Sequence, residues 1–298
     1  MTTTPSLLQG IRSVSPGPSF YVSSQLVDNA VQAYFSGEYE NSLKSFATAL
    51  KTQQLTLGEV DVVVAHTLQN ISSVYIAMGM LDEAIQVLQE CLNIKTKLRS
   101  DPSAKLPQGC DGVILSDTLN NLGSSCFLRG MYFDSMSYFQ SCLKELTEGP
   151  IPGSKEEISN VLYNIGNVHC LLGEYDDALM AMAESLQLVQ ATLQEGKEEP
   201  QAAEVMEKIG AIYLQTNRLD DAMTAFFEAL TITKTTLGSE HVDCAVSIFN
   251  VGVVYECRGE TRRAMESYNT ALAIFQKNGV DDTSVEMVRQ RLMNIEIM

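Results

Sequence analysis

A repeat of slightly more than 40 residues runs through most of this 298-residue chain. Each copy carries a turn residue (Gly or Asn), a small residue five positions later, and a small residue followed by Leu seven positions after that. The six copies place this last pair at Ala49-Leu50, Cys91-Leu92, Cys142-Leu143, Ser185-Leu186, Ala229-Leu230 and Ala271-Leu272. A repeating unit this short cannot bury its apolar face alone, so the copies must stack on one another.

Each copy has the pattern of two amphipathic helices joined by a tight turn. In the last copy, apolar residues recur at helical intervals before Gly259 (Val246, Phe249, Val253) and again after it (Ala264, Tyr268). All eight prolines fall before the first helix, between copies or at the start of a helix, where the missing N–H costs little. The sequence therefore predicts an all-α protein.

The repeat boundaries follow from this frame. We expect a flexible N-terminal segment over residues 1–21 and a stack of helices over 22–298, with repeats at about 22–58, 59–99, 113–149, 155–196, 198–238 and 240–279. Residues 100–112 form an insertion that contains Cys110. A last apolar stripe predicts a C-terminal helix over 283–298, which is a cap, or a truncated repeat if the natural chain continues.

The pattern resembles the tetratricopeptide repeat. The resemblance rests on the Asn-Ile-Gly frame of the first helix, as at Asn164 to Gly166, and on the small residues of the second, although the family's Trp is absent. The longer unit and the segment from Leu237 to Asp243 are similar to the kinesin-light-chain subclass. This resemblance implies a right-handed α-solenoid of six helix pairs plus the cap helix.

The resemblance also implies that the first helices line a concave groove, and that the position two before the Gly faces it. That position holds Asn70, Asn121, Asn164 and Asn250, with Asp28 and Lys208 in the first and fifth repeats. Neighbouring groove positions are Gln69, Ser73, Asn120, Ser124, Tyr163, Asn167, Glu204, Glu207, Phe249 and Glu256. A carboxamide can donate to and accept from the main chain of an extended peptide. The alternative is that each Asn bonds within its own helix or to the neighbouring repeat.

Charge narrows the choice of partner. With 37 acidic and 20 basic residues the formal net charge is −17, which argues against binding nucleic acid. A carboxylate clamp needs Lys or Arg in the groove, and the groove positions offer only Lys208. We expect Glu204, Glu207 and Glu256 to favour Lys or Arg opposite the fifth and sixth repeats, and apolar or small polar residues opposite Asn121, Tyr163 and Asn164. Alternatively, the acidic charge covers the outer face for solubility.

No set of residues predicts a catalytic, cofactor or metal site. The seven cysteines include no CxxC pair, so neither a disulfide framework nor a zinc site is expected. His169 occupies the slot of Tyr75 in its own repeat, which favours core packing over catalysis. Asp176 and Asp177 begin a second helix, where carboxylates complement the helix dipole.

These observations predict a non-enzymatic adaptor that holds an extended segment of a partner protein. A self-associating structural scaffold and a regulatory subunit of an enzyme complex are the alternatives, and the oligomeric state is left open. The unpaired cysteines predict a reducing, cytoplasmic location, with organelle import left open by the Ser/Thr-rich start. No apolar window approaches the length of a membrane span.

Overall fold

The computed structural model describes residues 20–101, 113–192, 200–280 and 282–297. Residues 1–19 of the predicted N-terminal segment and residues 102–112 of the insertion, which include Cys110, therefore lie outside the described residues. Within the described ranges the regular secondary structure is entirely α-helical. The helices are α1 (Phe20–Phe35), α2 (Tyr39–Leu57), α3 (Val62–Ala77), α4 (Leu81–Ser100), α5 (Ser116–Arg129), α6 (Tyr132–Glu148), α7 (Lys155–Leu172), α8 (Tyr175–Thr192), α9 (Pro200–Gln215), α10 (Leu219–Leu237), α11 (Val242–Cys257), α12 (Thr261–Lys277) and α13 (Asp282–Ile297).

The turn inside each pair ends the first helix with a left-handed residue. In the second repeat the Gly79 N–H donates to Ile76 O at 3.0 Å and the Met80 N–H donates to Tyr75 O at 2.9 Å, the two bonds of a Schellman cap. In the fifth repeat the same position is Asn217, with φ of 58°. Asn tolerates this region better than other side chains, which explains why it replaces Gly there.

The two helices of a pair approach closely at small residues. The aromatic and aliphatic side chains that the repeat places in the second helices are all buried: Phe46, Leu88, Phe139, Met182, Phe226 and Tyr268. Three of these rings pack directly on first-helix glycines. A Cβ built on Gly123 would lie 2.6 Å from Phe139, one on Gly210 would lie 2.6 Å from Phe226, and one on Gly252 would lie 2.7 Å from Tyr268. Any side chain at these glycines would push the helices apart.

The buried thiols at two of the small positions of the repeat also form hydrogen bonds. The Cys91 thiol donates to Ala65 O at 3.1 Å and the Cys142 thiol donates to Ser116 O at 3.2 Å, each 26 residues back in the first helix of its own repeat. Both cysteines are buried. Their predicted role in packing is therefore confirmed, with a weak hydrogen bond in addition.

The chain divides into two compact units, Met1–Gly153 and Ser154–Met298. In the first unit, α1 to α6 form three helix pairs, and consecutive pairs pack through α2 against α3 and α4 against α5. In the second, α7 to α12 form three more pairs, and α13 packs on α12. Val285 and Val288 of α13 are buried in that contact. The all-α class with six pairs and a C-terminal helix is confirmed, whereas one continuous domain over 22–298 stays a prediction.

Candidate protein-binding surface

In the first unit, a polar cluster joins two successive first helices. The Lys95 ammonium, which comes from the second helix α4, donates to Gln69 Oε1 of α3 at 2.9 Å and to Thr118 Oγ1 of α5 at 2.8 Å. The Thr118 hydroxyl also lies 3.2 Å from Gln69 Oε1 and donates to it. Lys95 is 2% exposed, so a charged side chain is enclosed between the helices that were predicted to line the groove.

The predicted Asn row continues directly from this cluster. Asn121 lies one helical turn after Thr118 on α5 and is 7% exposed, and Asn70 follows Gln69 on α3 and is half-buried. Neither carboxamide makes a hydrogen bond within the described part of the chain. Within the described residues these two amides therefore lack the partner that a buried carboxamide normally has.

The other predicted positions of the first unit lie around these residues. Ser73, Asn120 and Ser124 are half-buried, and Asp28 of α1 is exposed. The prediction missed Lys95, because it considered only residues of the first helices. The repeat itself marks this position. In every copy, the residue four positions after the small residue that precedes Leu is buried: Gln53, Lys95, Leu146, Val189, Thr233 and Phe275.

In the second unit, hydrogen bonds between predicted groove residues connect the first helices to one another. Tyr163 Oη of α7 donates to Glu204 Oε1 of α9 at 2.8 Å, and Asn250 Nδ2 of α11 donates to Glu207 Oε2 of α9 at 2.5 Å. The pKa of Tyr163 is raised, first by burial and then by the negative charge of Glu204. Asn250 therefore bonds to the neighbouring repeat, as the structural alternative for the Asn row proposed.

Glu207 is the most desolvated of the three groove glutamates. Its Oε1 is buried and has no hydrogen-bond partner among the described residues. Burial raises the pKa of this carboxyl, although hydrogen bonds from Ser247 and Asn250 oppose the shift. Glu207 is therefore less accessible on this surface than the exposed Glu204.

Glu256 is paired with the C-terminal helix. Tyr268 Oη donates to Glu256 Oε2 at 2.5 Å, and Arg291 Nη1 of α13 lies 3.2 Å from both carboxylate oxygens. Phe249 stacks beside Tyr268, with ring centroids 5.3 Å apart. Arg291 of the C-terminal helix is therefore an ion-pair partner of this groove residue.

The remaining predicted residues of the second unit are accessible. Glu204 and Lys208 are exposed on α9, and Asn164 and Asn167 are half-buried on α7. Of the three glutamates, only Glu204 is both exposed and without a cationic partner in the described chain.

A histidine and two carboxylates meet at the turn of the fourth repeat. His169 Nδ1 lies 2.7 Å from Glu174 Oε2, and Asp177 brings a third possible ligand atom within 4.8 Å of the others. In the fifth repeat the same three positions hold Tyr213, Arg218 and Asp221, where the Arg218 guanidinium stacks over the ring at 4.3 Å and pairs with the carboxylate. We therefore infer that the His169 cluster stabilises the turn between the two helices. His169 is half-buried, and not fully packed in the core as its slot in the repeat predicted.

The helix pairs and the turn geometry define a repeat protein, and the family model named Tetratricopeptide repeat matches residues 26–97, 157–235 and 201–277. These segments cover more than half of the chain, so the chain belongs to the tetratricopeptide repeat family. This is a family of interaction scaffolds, and no enzyme family is indicated. Within the described residues, no helix is both long and apolar enough to cross a membrane.

A curated relative supports the predicted subclass. The chain is 24% identical over 169 residues to Protein KINESIN LIGHT CHAIN-RELATED 1 of Arabidopsis thaliana, an alignment that covers 57% of this chain and 26% of that protein. The chain thus matches about a quarter of the length of this relative. The kinesin-light-chain-like resemblance is confirmed.

Solved structures show the same fold. BtubC (BKLC) from P. vanneervenii superposes with a TM-score of 0.61 at 15% identity, over 89% of this chain and 93% of that chain. The type IV pilus biogenesis factor PilW gives 0.62 at 17% identity, over 90% and 98%. A putative kinesin light chain with nearly identical repeats from Podosopora anserina gives 0.58 at 16% identity, over 72% and 95%. At this identity the likeness defines the α-solenoid fold alone.

Proposed function

We propose that this protein is a non-enzymatic adaptor that binds an extended segment of a partner protein along its first helices. The observation that carries the proposal is the state of Asn121, a carboxamide that is 7% exposed and makes no hydrogen bond within the described residues. Among the described residues neither its NH2 group nor its oxygen has a partner, which supports a role in binding a ligand. A main chain running past α3 and α5 supplies both partners at each peptide unit.

The two units offer different surfaces to such a segment. In the first unit the Asn70 and Asn121 carboxamides have no hydrogen-bond partner among the described residues, whereas in the second unit Asn250 is bonded to Glu207. In the second unit Glu204 is exposed on the first helix α9. We therefore propose that the first unit recognises the main chain of the partner segment. The second unit selects segments with Lys or Arg, because attraction between opposite charges speeds association.

Peptide binding to the whole chain tests this function. Twelve-residue peptides selected by phage display on the immobilised protein would be labelled with fluorescein and titrated by anisotropy. The double variant Asn70→Ala, Asn121→Ala should weaken binding by roughly 5- to 150-fold, equivalent to about 1 to 3 kcal/mol, because it removes hydrogen bonds to the peptide.

Asn93→Ala is the matched control, because Asn93 is exposed on the second helix α4 and should leave the affinity unchanged. Circular dichroism of each variant reports whether the helices remain intact. An unchanged affinity for the double variant would refute a groove role for these carboxamides. A failure to select any peptide would count against the adaptor function as a whole.

Self-association is a second candidate function. Leu128 at the end of α5 is 56% exposed and Phe133 at the start of α6 is 80% exposed, and exposed apolar surface favours a protein contact when it is extensive. Light scattering over a concentration range separates the two functions. A mass that rises with concentration, and falls back in Phe133→Ser, would favour a structural scaffold.

A further inference from the structure

Three side chains that can bind a metal ion converge at the turn between α7 and α8. His169 Nδ1 lies 2.7 Å from Glu174 Oε2, and these two groups and the Asp177 carboxylate offer ligand atoms that all lie within 4.8 Å of one another. No other three His, Cys, Asp or Glu side chains of the described residues come together in this way. The side chains of His169 and Glu174 are 20% and 48% exposed, and Asp177 is exposed, so an ion can reach the group from solvent.

The backbone of the turn holds these residues in place. The Glu174 N–H donates to His169 O at 2.9 Å, and Gly173 between them adopts a left-handed φ of 79°. Asp177 lies in the first turn of α8, where the Ala178 N–H donates to Glu174 O at 3.0 Å. All three side chains therefore extend from ordered main chain, which lowers the entropic cost of binding a ligand.

The same turn of the next two repeats contains an arginine. The residues that correspond to the three side chains are Tyr213, Arg218 and Asp221 in the fifth repeat and Tyr255, Glu260 and Arg263 in the sixth. The Arg218 guanidinium pairs with its carboxylate at 2.7 Å and lies 4.3 Å from the centre of the tyrosine ring. The Arg263 guanidinium pairs at 2.6 Å and lies 5.6 Å from the ring centre. In both repeats the turn thus contains one carboxylate and one cation.

The fourth repeat has carboxylates at both of these positions. Glu174 and Asp177 form no ion pair with a Lys or Arg of the described chain, and Asp176 adds a further exposed carboxylate. Arg218 of the next repeat attracts Asp176 at longer range, but its guanidinium is already paired within its own turn. The fourth turn therefore lacks the cation that its two successors have, and it has an imidazole in place of their phenol ring.

From this arrangement we propose that the turn of the fourth repeat binds a divalent transition-metal ion, and that Zn²⁺ matches it best. His169 Nδ1 and one carboxylate oxygen each from Glu174 and Asp177 supply three ligands, and water completes a tetrahedron. The imidazole nitrogen favours Zn²⁺ over Mg²⁺ and Ca²⁺, which prefer oxygen ligands. The ion takes the place of the hydrogen between His169 and Glu174, and the neutral imidazole then carries its hydrogen on Nε2. This proposal does not depend on the adaptor function.

Isothermal titration calorimetry of the full chain with ZnCl2 tests the site. Accessible thiols, such as the exposed Cys257, are alkylated first so that they do not compete for zinc. The wild-type protein should bind one zinc ion at this site, and MgCl2 at the same concentration should not displace it. His169→Tyr and Asp177→Arg should each weaken zinc binding by about 10- to 100-fold or more, since losing a ligand costs at least as much as losing an outer-shell partner.

Both substitutions are taken from other repeats of this chain and should fold. His169→Tyr introduces the residue that the fifth repeat has at this position, and Asp177→Arg introduces the residue of the sixth. Asp176→Asn and His241→Asn are the matched controls. The first removes an exposed carboxylate beside the site, and the second removes a histidine that pairs with a single carboxylate, at 3.4 Å. Both control variants should retain the bound zinc ion.

Thermal unfolding gives a second measurement. An ion that binds only the folded protein raises the unfolding midpoint, so zinc should raise Tm of the wild type and not that of His169→Tyr. If His169→Tyr does not fold, Glu174→Gln keeps a hydrogen-bonding group beside His169 without the anionic ligand, and it should lose the same shift. Unchanged zinc affinity in either folded variant, or no saturable zinc binding by the wild type, would refute the metal site and leave the three residues as a stabiliser of the turn alone.

Discussion

The close approach of helices at first-helix glycines leads to a quantitative prediction for Gly210→Ala. The new Cβ would lie 2.6 Å from Phe226 Cε1 and 2.8 Å from Cδ1, well inside the ordinary carbon–carbon contact of about 3.5 to 4.0 Å. The ring cannot turn aside, because Phe226 is 1% exposed and packed between helices. Relieving the clash requires the helices to separate, which costs typically 1 to 3 kcal/mol.

A competing effect has the opposite sign. Ala is more favourable than Gly in a helix interior by about 1 kcal/mol, so the expected net loss of stability for Gly210→Ala is about 1 kcal/mol. Gly166→Ala is the matched comparison, because it lies in the same unit and faces Met182, whose methyl group would be 2.8 Å away. A methionine side chain adapts its shape readily, so the clash and the propensity gain should nearly cancel at Gly166.

Urea unfolding followed by circular dichroism measures both variants, with the midpoint compared at constant m-value. A Gly210→Ala protein that is as stable as Gly166→Ala, or more stable than the wild type, would refute the proposed steric role of Gly210. The double variant Gly210→Ala, Phe226→Leu adds a further check, because it removes the ring that the Cβ meets. Its loss of stability should be smaller than the sum of the two single losses.

Two further predictions concern the charges of the second unit. Folding raises the pKa of the Glu207 carboxyl, so the folded state binds more protons than the unfolded state. The contribution of Glu207 to stability therefore falls as the pH rises from the ordinary pKa of the group to its raised pKa. Glu207→Gln should therefore stabilise the protein at pH 7 by about 1 kcal/mol or less and lose that advantage near pH 4; equal gains at both pH values in urea unfolding would contradict the assigned cause. Arg291→Met should loosen α13, because it removes the ion pair with the half-buried Glu256, at a cost of about 1 kcal/mol or less. Hydrogen exchange of the α13 amides should become faster, whereas exchange of the α7 amides should not change. Unaltered exchange in α13 would show that apolar contacts such as those of Val285 are enough to hold this helix.

The fold was predictable from the sequence because the information that specifies it is local and repeated. Each helix pair has its own turn residue, and even the exception at Asn217 adopts the left-handed conformation of the glycines it replaces. The small residues mark the helix crossings, and Phe139 and Phe226 occupy the buried positions that the repeat assigned to them. Six copies of one pattern reinforce a prediction that any single copy would leave weak.

The partners of the polar side chains depended on tertiary structure. The repeat frame places Glu256 on a first helix, but its pairing with Arg291 joins residues 35 positions apart and depends on how α13 packs against its neighbours. Lys95 likewise comes from a second helix and reaches between two first helices. The hydrophobic period fixes which face of a helix is buried, whereas the tip of a long polar side chain selects its partner only after the helices have packed. For this reason the repeat fold could be predicted from the sequence, whereas only the structure showed that Asn250 bonds to Glu207, that the Asn121 carboxamide has no partner among the described residues, and that Lys95 is buried between two first helices.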